Sequence, residues 1–206
     1  MRPTAVVLAA LLAAAPASAS ADEEVGVGLP APAFSLRVLN PEASGQSWVA
    51  LDRFVGDEPE DAGAKAVLMT FFASWCEPCR RELPFLVQLD RMYREQGLRV
   101  LGVCIDSEEP GIEAAKKLVA EKKVTYPVLT DRFNFLARRY LGEKAPLPSV
   151  FLIRRDGTVV KIERGYAKDA SAFLLADVQD ALGIAPSGPK GAPPAGHRPA
   201  KAAAAR

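Results

Sequence analysis

Histidine is almost missing from this chain. The single one, His197, lies in a C-terminal stretch of Pro, Ala and Gly, so a catalytic histidine or a Cys/His metal site has no support in the body of the protein. Net charge is nearly missing as well: +1 overall, which argues against a nucleic-acid binder. Long apolar runs are missing too. The N-terminal run Ala5 to Ala15 holds about 11 residues, short of the ~20 that span a bilayer. Cysteine is sparse, yet two of the three, Cys76 and Cys79, stand only two residues apart.

The rest of the composition is ordinary, with 49% apolar and 25% charged residues over 206 positions, enough for one domain plus tails. Residues 1–21 read as a secretory signal peptide. Arg2 supplies the basic start, and Ala17-Ser18-Ala19-Ser20-Ala21 offers two A-x-A cleavage sites. A periplasmic or otherwise exported protein is expected; the alternative is an uncleaved N-terminal membrane anchor. Residues 22–28 are a polar lead-in, 29–184 the folded domain, and 185–206 a disordered basic tail. Setting aside Arg2, Lys190, Arg198, Lys201 and Arg206 leaves 21 basic against 25 acidic residues, so the body carries about −4.

Periodicity places the elements. Phe34 to Leu39 alternates as a strand, and Ser47 to Leu51 returns as its hairpin partner. Asp57 to Ala64 is an acidic, breaker-rich exposed loop. The apolar run Ala66 to Phe72 is a buried strand, and Arg80 to Gln96 is helical. That helix is expected to show Phe85, Leu86, Leu89, Met92 and Tyr93 on one face, to kink at Pro84 and to end at Gly97. Strand Arg99 to Ile105, a helix starting near Ser107, strand Tyr126 to Leu129 and helix Phe133 to Tyr140 follow. A hairpin of Ser149 to Ile153 and Thr158 to Glu163 turns at Asp156-Gly157. The last helix runs from about Asp169, a possible N-cap, to Leu182, with Phe173 on its apolar face.

The stretch Phe72-Ala73-Ser74-Trp75-Cys76-Glu77-Pro78-Cys79-Arg80 puts Cys76 at a strand-to-helix turn. The positive end of the helix favours thiolate there. Cys79 lies one turn on, on the same face. This is the geometry of a reversible dithiol/disulfide couple. A purely structural bridge is the weaker alternative, because the loop it closes is too short to stabilise much.

Element order and motifs together resemble the thioredoxin fold. The fold class expected is therefore α/β, a mixed central sheet flanked by helices, with an N-terminal β-hairpin and an inserted strand-helix unit. The run from Phe72 to Pro84, with Pro146-Leu147-Pro148-Ser149 about 70 residues on, resembles the TlpA/ResA-like thiol-disulfide oxidoreductases more closely. The resemblance implies an exported reductase of protein disulfides, acting in cytochrome c maturation or metal-site assembly. Its cofactor is nothing beyond the redox-active Cys76–Cys79 disulfide. Partners implied are disulfide-bearing protein clients and a membrane thiol-relay electron donor; no nucleic acid is implied, and a monomer is expected.

Cys76 is the expected nucleophile and Cys79 the resolving thiol. Glu77 and Pro78 tune the pair: the Glu77 charge disfavours thiolate and makes the dithiol a better donor. Pro148 resembles the family's cis-proline, leaving the Leu147 backbone to pair with a bound peptide, and Trp75 caps the site. Thioredoxin-like proteins often carry a buried acid six residues before the first cysteine. Thr70 stands there, so Asp106 and Glu108 are the candidate proton acceptors. Cys104 reads as a buried, inert thiol. Two rival readings are weighed. A peroxiredoxin would need Pro and Thr where Met69 and Ala73 stand. A copper metallochaperone would hold Cu(I) on Cys76 and Cys79, with no metal ligand expected beyond them.

Overall fold

Two short strands open the fold. In the computed structural model, which describes residues 25–142, 146–165 and 170–185 without the side chains of 170–173, β1 (Ser35–Arg37) and β2 (Trp48–Ala50) pair antiparallel as the expected hairpin. A helical turn, α1 (Pro41–Ser44), connects them and ends at Gly45, whose φ of 72° is left-handed backbone that suits glycine. Asn40 is buried rather than a surface turn residue. Its side-chain amide donates to the Tyr126 carbonyl at 3.0 Å and accepts from the Val128 N–H at 2.9 Å, fastening the hairpin to the main sheet. The expected leader, the tail beyond residue 185, Asp169 and the Phe173 side chain lie outside the described residues.

The main sheet is built from β3 (Ala66–Phe72), β4 (Leu98–Cys104), β5 (Val128–Thr130), β6 (Ser149–Arg154) and β7 (Val159–Arg164), in the order β5-β4-β3-β6-β7. β3, β4 and β5 run parallel, whereas β6 and β7 join antiparallel, so the sheet is mixed. Among the described residues, four longer helices accompany the sheet: α2 (Glu77–Tyr93), α3 (Glu109–Glu121), α4 (Phe135–Leu141) and α5 (Ala170–Ala181). All seven β3 residues are buried because both faces of the strand are covered. Ala66, Leu68 and Phe72 face the layer of α2, α3 and α5, while Val67, Met69 and Phe71 face the hairpin and α4. Thr70 belongs by alternation to the α2 side, the one polar position in an otherwise apolar strand.

Two local expectations change. Met92 is 42% exposed, and the buried stripe of α2 runs through Cys79, Leu83, Leu86, Asp90 and Tyr93. Anchoring Cys79 inward at the first turn rotates the helix so that Met92 faces water. Asp90 fits inside because Arg94 and the Thr125 hydroxyl donate to its carboxylate. The acidic loop is also less free than its composition suggests. Pro59 and Ala64 are buried, and Asp61 forms a two-pronged ion pair with Arg99, which holds its carboxyl below the ordinary value.

Candidate active site

The turn between β3 and α2 carries the chemistry. Cys76 is the N-cap of α2 in extended backbone, and its Sγ accepts from the Cys79 N–H at 3.3 Å. That satisfies one of the helix donors left unpaired at an N-terminus and directs the positive helix end at this sulfur. Pro78 occupies the first turn, where its missing N–H has no helical partner to lose. Cys76 and Cys79 form a disulfide with Cα atoms 5.3 Å apart, and both are nearly buried at 5% and 1% exposure.

Glu77 is exposed and turned toward Arg81 (3.4 Å) and Arg80 (3.8 Å). These cations offset the negative charge that Glu77 sets beside Cys76, so its tuning effect is small. Trp75 is 71% exposed, which removes a simple core-packing role. It lines a cleft of about 630 Å³ together with Cys76, Pro78, Ile105, Arg138 and Leu147. The Leu147–Pro148 bond is cis, and Pro148 is buried. Leu147 is half-buried, with neither its N–H nor its C=O bonded to another backbone group among the described residues.

The two candidate acids separate. Glu108 is exposed, precedes α3 and does not line the cleft. Asp106 is buried, and three donors converge on it: the Ser74 N–H at 2.7 Å, the Ser74 hydroxyl at 2.8 Å and the Cys104 thiol at 3.3 Å. None of its hydrogen bonds reaches the cysteine pair. Asp106 instead brackets the turn two residues ahead of Cys76, and Gly111 makes room for it, since a Cβ there would meet Oδ1 at 2.8 Å. Cys104 is fully buried, and burial pushes its thiol well above the ordinary range, so it is an inert group that serves as a donor.

A third acid was not singled out in the sequence. Glu82 lies one helical turn beyond Cys79 and receives the Thr70 hydroxyl at 3.0 Å. Burial pushes its carboxyl up to about 7, and the nearby Glu163 charge adds to the rise while the Thr70 bond offsets part of it. The position on β3 that lacks an acid therefore donates to an acid supplied by the helix. The spacing of Cys79 and Glu82, read with a polar Thr70 in an apolar strand, was the available signal. Among the described residues, no group of three or more His, Cys, Asp or Glu is gathered to hold a metal ion, and no helix is long and apolar enough to cross a membrane.

Similarity to known proteins agrees with this arrangement. Residues 27–162 match the model of the AhpC/TSA family. The thiol-disulfide oxidoreductase ResA of Oceanobacillus iheyensis is 30% identical over 139 residues, covering 68% of this chain and 65% of that protein. ResA of Bacillus thuringiensis subsp. konkukian is 32% identical over 108 residues, covering 52% of this chain and 60% of its own. The chain thus spans slightly less than two thirds of the length of these curated relatives. A Chlorobium tepidum crystal structure assigned as the thiol:disulfide interchange protein DsbE superposes with a TM-score of 0.64 at 28% identity, over 77% of this chain and 99% of that one. The strand order, the cysteine turn and these matches lead to one placement: the chain belongs to the AhpC/TSA family and is a TlpA/ResA-like member of the thioredoxin superfamily.

Proposed function

We propose that the protein is an exported thiol-disulfide oxidoreductase that reduces disulfides in protein clients. The observation that carries this reading is the Cys76–Cys79 disulfide closed across the first turn of α2 beside an apolar cleft. In the reduced state, the Cys76 thiolate attacks one sulfur of a client disulfide. A mixed disulfide forms and one client thiolate leaves. Glu82 then takes the Cys79 proton, the Cys79 thiolate attacks Cys76 Sγ, and the second client thiolate departs. The enzyme is left as the Cys76–Cys79 disulfide, two electrons poorer. A membrane thiol relay returns those electrons. Leu147 and Pro148 hold the client strand, and Trp75 covers it. The enzyme acts as a monomer and needs no cofactor beyond its own cysteines. Clients with haem-attachment or metal-site cysteines follow from the resemblance to the TlpA/ResA group.

Glu82 is a better proton acceptor than Asp106 on two grounds. Its carboxyl is held near neutrality, where a general base works best, whereas Asp106 is occupied by three donors. The test is a redox titration of the Cys76/Cys79 pair combined with client trapping by Cys79→Ser. A potential well below the roughly −180 mV of protein disulfide isomerase, with mixed disulfides accumulating on Cys76, is expected. A strongly oxidising potential, or tight Cu(I) binding without thiol exchange, overturns the reading.

A further inference from the structure

The four exposed Trp and Phe side chains among the described residues, Trp48, Trp75, Phe133 and Phe135, are 57 to 71% exposed and line two clefts. Helix α4 and the turn before it join them. Asn134, Ala137, Arg138 and Leu141 line the cleft beside Cys76, while Phe133, Phe135 and Arg139 line a second cleft against the hairpin, with Trp48 and Arg37 on its far wall. Arg138 bridges the two. It reaches the disulfide cleft, and its guanidinium lies over the Phe135 ring at 5.0 Å, with Phe133 packed 5.9 Å beyond.

The charge around these clefts is unbalanced. Arg37, Arg138 and Arg139 are exposed and form no ion pair with a carboxylate among the described residues; Arg139 only donates to the Ala33 carbonyl. Arg132 is loosely paired with Glu109 at 3.7 Å. Among the described residues, the acids at hand are turned elsewhere. Asp131 is buried and accepts the Ala137 N–H, and Glu77 faces Arg80 and Arg81. A basic, aromatic strip therefore runs from the disulfide to the hairpin on a body whose overall balance is acidic.

We infer that this strip docks an acidic segment of the disulfide-bearing client, adjacent in the client's chain to its reactive cysteine. Exposed aromatics and arginines are the side chains that anchor protein interfaces, and unpaired cations select carboxylates. The inference rests on the thiol-disulfide reading above.

The test uses two synthetic peptides, each closed by an internal disulfide and identical except for flanks of Asp/Glu or of Lys. The reduced full chain should reduce the acidic peptide about tenfold faster at low ionic strength, the sum expected of two or three exposed pairs, with the ratio falling toward one in high salt. Arg37→Glu combined with Arg138→Glu should invert the ratio, and Arg138→Lys should keep most of it. Equal rates in the wild type, a preference for the Lys peptide, or a ratio untouched by the double charge reversal overturns the docking inference. Uncharged dithiodipyridine separates the two failures. If the reduced wild type reacts with it through Cys76 while the peptides show no preference, only the docking inference falls. If no disulfide is reduced at all, both readings fall.

Discussion

Asp106, bonded to Ser74 just ahead of Cys76, and Glu82, one helical turn after Cys79, are two carboxylates that the protein surrounds differently. Asp106 at the end of β4 collects a backbone N–H, a hydroxyl and a thiol. Glu82 in α2 collects one hydroxyl and faces another acid. A carboxylate with several fixed donors becomes part of the scaffold. One that is desolvated with a single donor keeps a proton near neutral pH and can exchange it. The number of donors, rather than closeness to the strand end, is what divides the two in the proposed mechanism, Asp106 as a positioning residue and Glu82 as the acid-base residue.

The contrast breaks first at Asp106. Asp106→Ala should destabilise the oxidised protein by about 4 kcal/mol in urea unfolding, because it strands the Ser74 and Cys104 donors; Asp106→Asn should lose about half as much. Next comes Glu82→Gln, which should slow client reduction about 100-fold and erase the step near pH 7 in the rate profile, an effect no scaffold role produces. A third measurement follows from linkage. The folded protein holds the Glu82 proton more tightly than the unfolded chain does. Wild type should therefore have its full stability relative to Glu82→Gln below about pH 4.5 and lose it as pH rises through about 7. The change should be about 2 kcal/mol, allowing for the partial exposure of the group. The smallest effect is expected for Thr70→Val, about 1 kcal/mol in stability. It should also move the rate step above pH 7, since the Thr70 bond is what lowers the Glu82 carboxyl.

Much of this contrast was half visible in the sequence. The apolar run from Ala66 to Phe72 could only be a strand covered on both faces, and β3 has those limits. The cysteine spacing at its end put Cys76 at the strand-to-helix turn, where it is the N-cap of α2, although the helix begins at Glu77, three residues ahead of the periodic run from Arg80. Asp106 was recognisable as an acid at a strand end, but its partner Ser74 is 32 residues away and joins it only through the parallel pairing of β3 with β4. Thr70 and Glu82 were each in view, and only the docking of α2 over β3 makes them a pair. Met92 misled because a helix pattern allows neighbouring stripes, and the inward turn of Cys79 selects between them. Asn40 had the chemistry of a turn residue, while its role depends on a contact 88 residues away.

That contact has a consequence for the sheet's margins. Leu39 N–H bonds the Val128 carbonyl, Val38 bridges Leu129, and the Asn40 amide stands in for the next peptide along the same margin of β5. At the other margin, Gly28 and Leu29 bond the backbone of Val159, and Pro30 bridges Thr158 at the start of β7. The segment before β3 therefore covers backbone groups at both outer strands, where unpaired groups invite strands from other chains to add. Self-association by strand addition is discouraged at β5 and at the first residues of β7, by a stretch of chain whose own strands are only three residues long.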